Sequence, residues 1–173
     1  MRSPNIIAFV FYYFVFLVFQ ILLFKNLSLF NYALCFIYVG FILLLPFSIS
    51  HLLLIVISFL VGISIDIFYD TLGIHAASCV LIAYVRPYII NVLTPKGGYD
   101  KGTEVSVAAQ GFQWMIIYSS VLIFIHHLTL FVLEVWGVKL FFTLITKTMA
   151  STLFTVVVFT LFQYLFQSPR NYK

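Results

Sequence analysis

From Ile6 to Phe24 the chain carries no charged residue and is apolar on every side. Strands of a transmembrane barrel do not read this way, because they alternate apolar and polar residues with period two. A run of this length matches the roughly 20 residues that a helix needs to cross a bilayer. The rest of the chain shares the feature: 64 % of its 173 residues are hydrophobic and 8 % are charged. Ordinary soluble domains have about 45–50 % apolar and about 25 % charged residues. So few charges cannot tile a water-facing surface. This argues against a water-soluble enzyme, a disordered chain and a nucleic-acid-binding module. The expected class is an all-α polytopic membrane protein. The length accommodates five or six spans with short loops and no large extramembrane domain.

Six transmembrane helices are expected in a single domain over residues 1–173. The spans read about 6–24, 27–45, 51–69, 74–93, 111–133 and 148–166. Lys25-Asn26 closes the first and Pro46 stops the second. Thr71-Leu72-Gly73 makes a tight turn between the third and fourth. The hydrophilic stretch Thr94–Glu104 carries Pro, paired Gly and mixed charge, the marks of a solvated loop, and lies in a connection over 94–110. Glu134, Trp136 and Lys139 fall in the connection before the last span. Leu140–Lys147 reads either as a tilted helical extension or as an interfacial piece. The first run is too long for a signal-peptide core and no A-x-A site follows it, so it is expected to remain as a span.

Net charge is +4 and the isoelectric point about 9.1. In a membrane protein this reports basic loops and contact with anionic lipid. With the N-terminus inside, Arg2, Lys96, Lys101, Arg170 and Lys173 fall on the cytoplasmic side, and Lys25, Lys139 and Lys147 outside. The bias places both termini in the cytoplasm. Cys35 and Cys79 lie in apolar runs without metal or disulfide spacing and read as buried small hydrophobes.

The chemistry-bearing residues concentrate between Phe59 and Arg86. Asp66 and Asp70 are four apart on one helical face, and Asp66 lies about 6 Å deeper. An acid at that depth faces protein or water rather than lipid. It reads as an ion or proton site, as a polar anchor for a partner, or as a helix-end carboxylate bonding the turn at Gly73. Ser58, Gly62, Asp66 and Asp70 form one stripe, and small residues there let another helix approach closely. Gly73 suits a positive φ. Arg86 stands roughly 20 Å of helix beyond Gly73, too far along to reach Asp66. It is expected either to snorkel or to pair inside the bundle, with Pro87 kinking the helix after it. His126 and His127 are adjacent and point about 100° apart, so they read as hydrogen-bonding a neighbouring helix rather than chelating one ion. His51 and His75 read as interfacial. Thr148, Ser151, Thr152 and Thr155 form a small hydroxyl stripe on the last span, capped by Lys147. The stripe reads as a helix-packing contact, either within the chain or with another subunit, with a polar ligand cavity as the alternative. No Walker loop, GxSxG, HExxH or GxGxxG is present. No cofactor or metal is expected, and the chain reads as a non-enzyme.

The Phe59–Arg86 stretch resembles the MreD family, the rod shape-determining membrane proteins of bacteria. The family pattern is a Gly, an Asp four residues later, a Leu-Gly turn, and an apolar span ending in a Tyr and a basic or polar residue. Here these are Gly62, Asp66, Leu72-Gly73, Tyr84 and Arg86. This sequence adds Asp70 and places Pro87 next to Arg86. The resemblance implies a non-enzymatic inner-membrane subunit of the cell-elongation machinery. Its partners would be MreC, the glycosyltransferase RodA with its penicillin-binding transpeptidase, and indirectly MreB. It also implies a fold similar to the substrate-binding subunits of energy-coupling-factor vitamin transporters. The competing expectation is therefore a small-molecule binder using Asp66, Asp70, His75 and Lys147.

Overall fold

A computed structural model describes residues 6–99, 103–134 and 141–166. Arg2, Lys101, Trp136, Lys139, Leu140, Arg170 and Lys173 lie outside the described residues. Helix α1 (Ile6–Phe19) runs on into a π-helical turn, Gln20–Phe24. A two-stranded antiparallel hairpin follows, β1 (Ser28–Leu29) with β2 (Ala33–Leu34), and then the short helix α2 (Val39–Leu44). Helices α3 (His51–Tyr69) and α4 (Ile74–Leu93) form a hairpin. The one-turn helix α5 (Val107–Gln110) precedes α6 (Phe112–Glu134) and α7 (Phe141–Leu165).

Among the described residues four helices, α3, α4, α6 and α7, are long and apolar enough to cross a membrane. The chain is thus a helical, multi-pass membrane protein in its physical character. The apolar part of the first helical run, Phe9–Phe24, is shorter. Helix α7 starts at Phe141, so the ambiguous stretch from Phe141 to Lys147 is a helical extension.

The expected second span, 27–45, is not a helix. It is a hairpin, an irregular stretch from Cys35 to Tyr38, and then α2 with six residues. Hydropathy reports how apolar a segment is, not where its backbone hydrogen bonds go. Non-helical backbone at membrane depth persists only where protein satisfies its polar groups. Here the Leu34 amide donates to Ser151 Oγ at 2.9 Å and the Phe36 amide to Thr155 Oγ1 at 3.2 Å. The Tyr38 amide donates to Gln20 Oε1 at 3.4 Å, and Gln20 Nε2 donates to the Cys35 carbonyl at 3.2 Å. The segment is the centre of the core, with Cys35, Phe36, Ile37, Tyr38, Val39, Ile42 and Leu43 buried. Leu45 leaves α2 with ψ 146°, the extended geometry that a following proline imposes.

The α3–α4 hairpin depends on two glycines for different reasons. A Cβ on Gly62 would lie 2.3 Å from Ala76 Cα and 2.7 Å from Ala76 N, so only glycine lets the two backbones approach this closely. Gly73 has φ 84°, a left-handed conformation natural to glycine, and opens α4. Asp70 closes α3 with φ 54° and its side chain is exposed. Helix α4 continues through Pro87.

Candidate functional site

Of the polar residues in the sequence motif, Asp66 lies at the Thr71–Gly73 end of the α3–α4 hairpin. Gly73, the residue before α4, has no side chain to cap the helix. Asp66 supplies the cap from the preceding helix. Its Oδ1 accepts the His75 amide at 3.0 Å and its Oδ2 the Ala76 amide at 2.9 Å. Thr71 Oγ1 donates to Oδ1 at 2.5 Å. A carboxylate on the first free amides of a helix satisfies orphan donors and complements the positive end of the helix dipole. Asp66 is 4 % exposed and both oxygens have partners within the chain. Its geometry is that of a helix-end carboxylate. Gly62 lies one turn below, so the close approach and the cap belong to one packing unit.

Beyond the cap lies a wider buried cluster. Tyr38 OH is 2.8 Å from His75 Nδ1 and 2.8 Å from His126 Nε2. Cys79 Sγ lies 4.0 Å from both Tyr38 OH and His126 Nε2. The hydroxyl has one proton, so it donates to one ring and accepts from the other. Among the described residues His126 Nδ1 is buried without a partner. Orphaned buried N–H groups are rarer than under-satisfied acceptors. His126 Nε2–H therefore donates to Tyr38 O, and Tyr38 O–H donates to His75 Nδ1. His127 belongs to a second hydrogen-bond series. Its Nδ1 donates to the Ile123 carbonyl at 2.8 Å, so its Nε2 accepts from Thr155 Oγ1 at 3.0 Å. Thr155 in turn accepts the Phe36 amide, and every polar atom of that series is used.

Several sequence expectations are placed by this geometry. His75 was expected at the interface but is buried, because the α4 N-terminus packs against the irregular Cys35–Tyr38 stretch. His51 is exposed, its ring 5.6 Å from that of Tyr84. His126 and His127 bond different elements, as their angular separation requires. Thr148, Ser151 and Thr155 are buried, and the last two face the hairpin and the stretch after it rather than another subunit. Among the described residues Thr152 Oγ1 has no partner, nor has Ser58 Oγ. Cys35 and Cys79 are free and buried. Lys147 pairs with Glu134 at 3.5 Å on the partly exposed edge of the bundle.

Arg86 does not snorkel. It is 2 % exposed and pairs inside the bundle. Its Nε donates to Tyr118 OH at 2.6 Å, and Nη2 donates to the Leu43 carbonyl at 3.4 Å and to the Leu45 carbonyl. Tyr118 OH donates to the Leu43 carbonyl at 2.9 Å. These carbonyls end α2, where the helix dipole is negative and a cation is stabilised. Among the described residues Arg86 has no carboxylate partner. The charge therefore anchors the broken segment at one end, while Gln20, Ser151 and Thr155 hold the other.

Sequence reasoning singled out neither Gln20, Tyr38 nor Tyr118. Gln20 had a usable signal, as the one amide inside the uncharged Ile6–Phe24 run. Among the described residues no group of three or more His, Cys, Asp or Glu side chains is placed to hold a metal ion. The gap beside the cluster, lined by Tyr13, Phe16, Tyr38, Phe41, Val61 and Ile65 among others, is too narrow to admit a water molecule. The arrangement can hold helices and a broken segment in one register.

No known protein family, curated protein or solved structure matches this chain. The class that the fold defines is a polytopic helical membrane protein with a buried polar core.

Proposed function

We propose that this chain is a non-enzymatic subunit of the bacterial cell-elongation machinery in the inner membrane. In this reading it scaffolds MreC and the peptidoglycan synthase, RodA with its transpeptidase, and acts on MreB indirectly. Both termini lie in the cytoplasm. The observation that carries the reading is the α3–α4 hairpin. Gly62, Asp66 and Gly73, three of the residues behind the MreD resemblance, form one structural unit of close approach, carboxylate cap and left-handed turn. A rigid bundle whose polar groups bond one another suits a scaffold. In lipid, association rests on packing and hydrogen bonds, so a partner helix needs surfaces held in fixed register.

Asp66 and Gly62 support partner binding by shaping the hairpin, not by touching the partner. The test is detergent co-purification of the tagged chain from its native membrane, with partners identified by mass spectrometry. Recovery of MreC together with the synthase is the expected result. Recovery of an ATPase pair and a coupling subunit, without those proteins, would identify a vitamin-transporter subunit instead. That alternative needs a chamber for its substrate, and the gap described above gives it no support.

A further inference from the structure

Between the first helical run and the buried stretch that begins at Cys35, the chain turns back in the β1–β2 hairpin. Ser28 pairs with Leu34 and Leu29 with Ala33. The Leu29–Tyr32 turn is closed by the Tyr32 amide donating to the Leu29 carbonyl at 3.1 Å. Its two central residues, Phe30 and Asn31, both have φ 55°. A turn with two left-handed central residues is normally filled by Gly, Asn or Asp. Asn31 fits that rule. Phe30 does not, since a bulky L-residue is strained there. Among the described residues nothing packs over the ring to compensate, and Phe30 is 90 % exposed. Leu27 and Leu29 beside it are exposed as well.

The level of this turn follows from its contacts. Tyr32 OH bonds the Thr143 carbonyl at 3.1 Å and lies 2.5 Å from Thr146 Oγ1, both in the first turns of α7. Helix α7 has 25 residues, which is about 37 Å of helix against a hydrocarbon core of about 30 Å. Thr143–Thr146 therefore straddle the edge of the core at this end. Lys25 marks the same level, donating to the Phe68 carbonyl at 2.5 Å with its ammonium 5.6 Å from the centre of the Tyr69 ring. Tyr beside Lys at the core boundary is the chemistry of a headgroup belt.

The geometry points to the Leu27–Tyr32 hairpin tip as an interfacial anchor, with Phe30, Leu27 and Leu29 in the headgroup–acyl boundary of the leaflet at the Thr71–Gly73 end. The occupant of the exposed tip is lipid, because the tip continues the lipid-facing surface at the level fixed by α7. Contact with lipid offsets the strain at Phe30. The anchor sets the depth at which the broken segment enters the bundle.

The test uses the full chain in liposomes of phosphatidylethanolamine and phosphatidylglycerol, with a nitroxide attached at Phe30→Cys. Cys35 and Cys79 are buried and stay unlabelled. Collision rates with oxygen and with a water-soluble nickel chelate are compared with those at Leu153→Cys and Gly97→Cys. Leu153 is exposed on α7 and Gly97 is in the exposed loop after α4. The expected result is a shift toward oxygen at position 30, as at 153. A nickel-dominated profile like that at 97 would overturn the proposal. So would loss of both collision rates in native membranes but not in liposomes, which would mean a protein partner covers the tip. Phe30→Asn, which suits the φ value, should keep detergent stability while a label at Leu29→Cys shifts toward nickel. A label at 29 that remains in lipid in that variant would also overturn the proposal.

Discussion

Gly62→Ala sets two effects of opposite sign against each other. Helix propensity alone favours Ala over Gly by about 1 kcal/mol in a helix interior. The added Cβ, however, would sit 2.3 Å from Ala76 Cα, 2.7 Å from Ala76 N and 2.9 Å from His75 C. All three are backbone atoms and cannot rotate away. Reaching an ordinary carbon–carbon contact of about 3.5 Å requires α4 to retreat by about 1 Å. That retreat carries the Asp66 bonds, now 3.0 and 2.9 Å, to about 4 Å, outside hydrogen-bond range. Overpacking costs about 1–3 kcal/mol. The two lost bonds add about 1 kcal/mol each, between the values for charged bonds in water and for interhelical bonds in lipid. The net result is a destabilisation of about 2–4 kcal/mol after the propensity gain is subtracted. Equilibrium unfolding in mixed detergent micelles, followed by loss of helical circular dichroism, measures it. Gly73→Ala has open space around it and costs only the left-handed strain, about 1–2 kcal/mol. Gly97→Ala should be near neutral. If Gly62→Ala is as stable as the parent or more so, propensity has won and the close-approach argument is wrong.

Three further substitutions probe the buried network. Asp66→Asn keeps one acceptor but turns an amide donor toward a backbone N–H, so hydrogen exchange at the His75 and Ala76 amides should accelerate and stability fall by about 1–2 kcal/mol. Thr155→Val strands the Phe36 amide and His127 Nε2 together, at about 2–3 kcal/mol in the same unfolding assay, and Thr155→Ser should recover most of the loss. Tyr38→Phe removes the hydroxyl shared by His75 and His126, at about 2–4 kcal/mol. In the parent protein nitrogen NMR should find the His126 proton on Nε2, and a proton on Nδ1 would reverse the bond directions assigned to Tyr38.

The α3–α4 hairpin was legible because its determinants are local. Gly62, Asp66 and Gly73 lie within one stretch of chain, and helical geometry alone puts the first two on one face. The turn composition then limits where the carboxylate can reach. The segment after Lys25 was not legible, because its stability rests on distant donors and acceptors. Ser151 and Thr155 are 117 and 119 residues from the amides they accept, and no window of hydropathy contains both ends of such a bond. The hydroxyl stripe was visible as a stripe, but the sequence does not show that its partner is irregular backbone. Arg86 shows the same limit. Its depth could be read from spacing, whereas its partners are the Tyr118 hydroxyl and two carbonyls at the end of α2, which the sequence reading did not separate as a helix. His75 was read from its position near a span end. That end is turned inward by the Asp66 cap, which buries the ring beside Tyr38.

The proposed scaffold role is tested most directly by depleting the chain in its native host while following cell width and the incorporation of a fluorescent peptidoglycan precursor along the side wall. Cells are expected to widen and round up as side-wall incorporation is lost, with the phenotype rescued by the parent chain and not by a destabilised Gly62→Ala chain. Rod shape and side-wall incorporation that persist after the chain has disappeared from the membrane would contradict it.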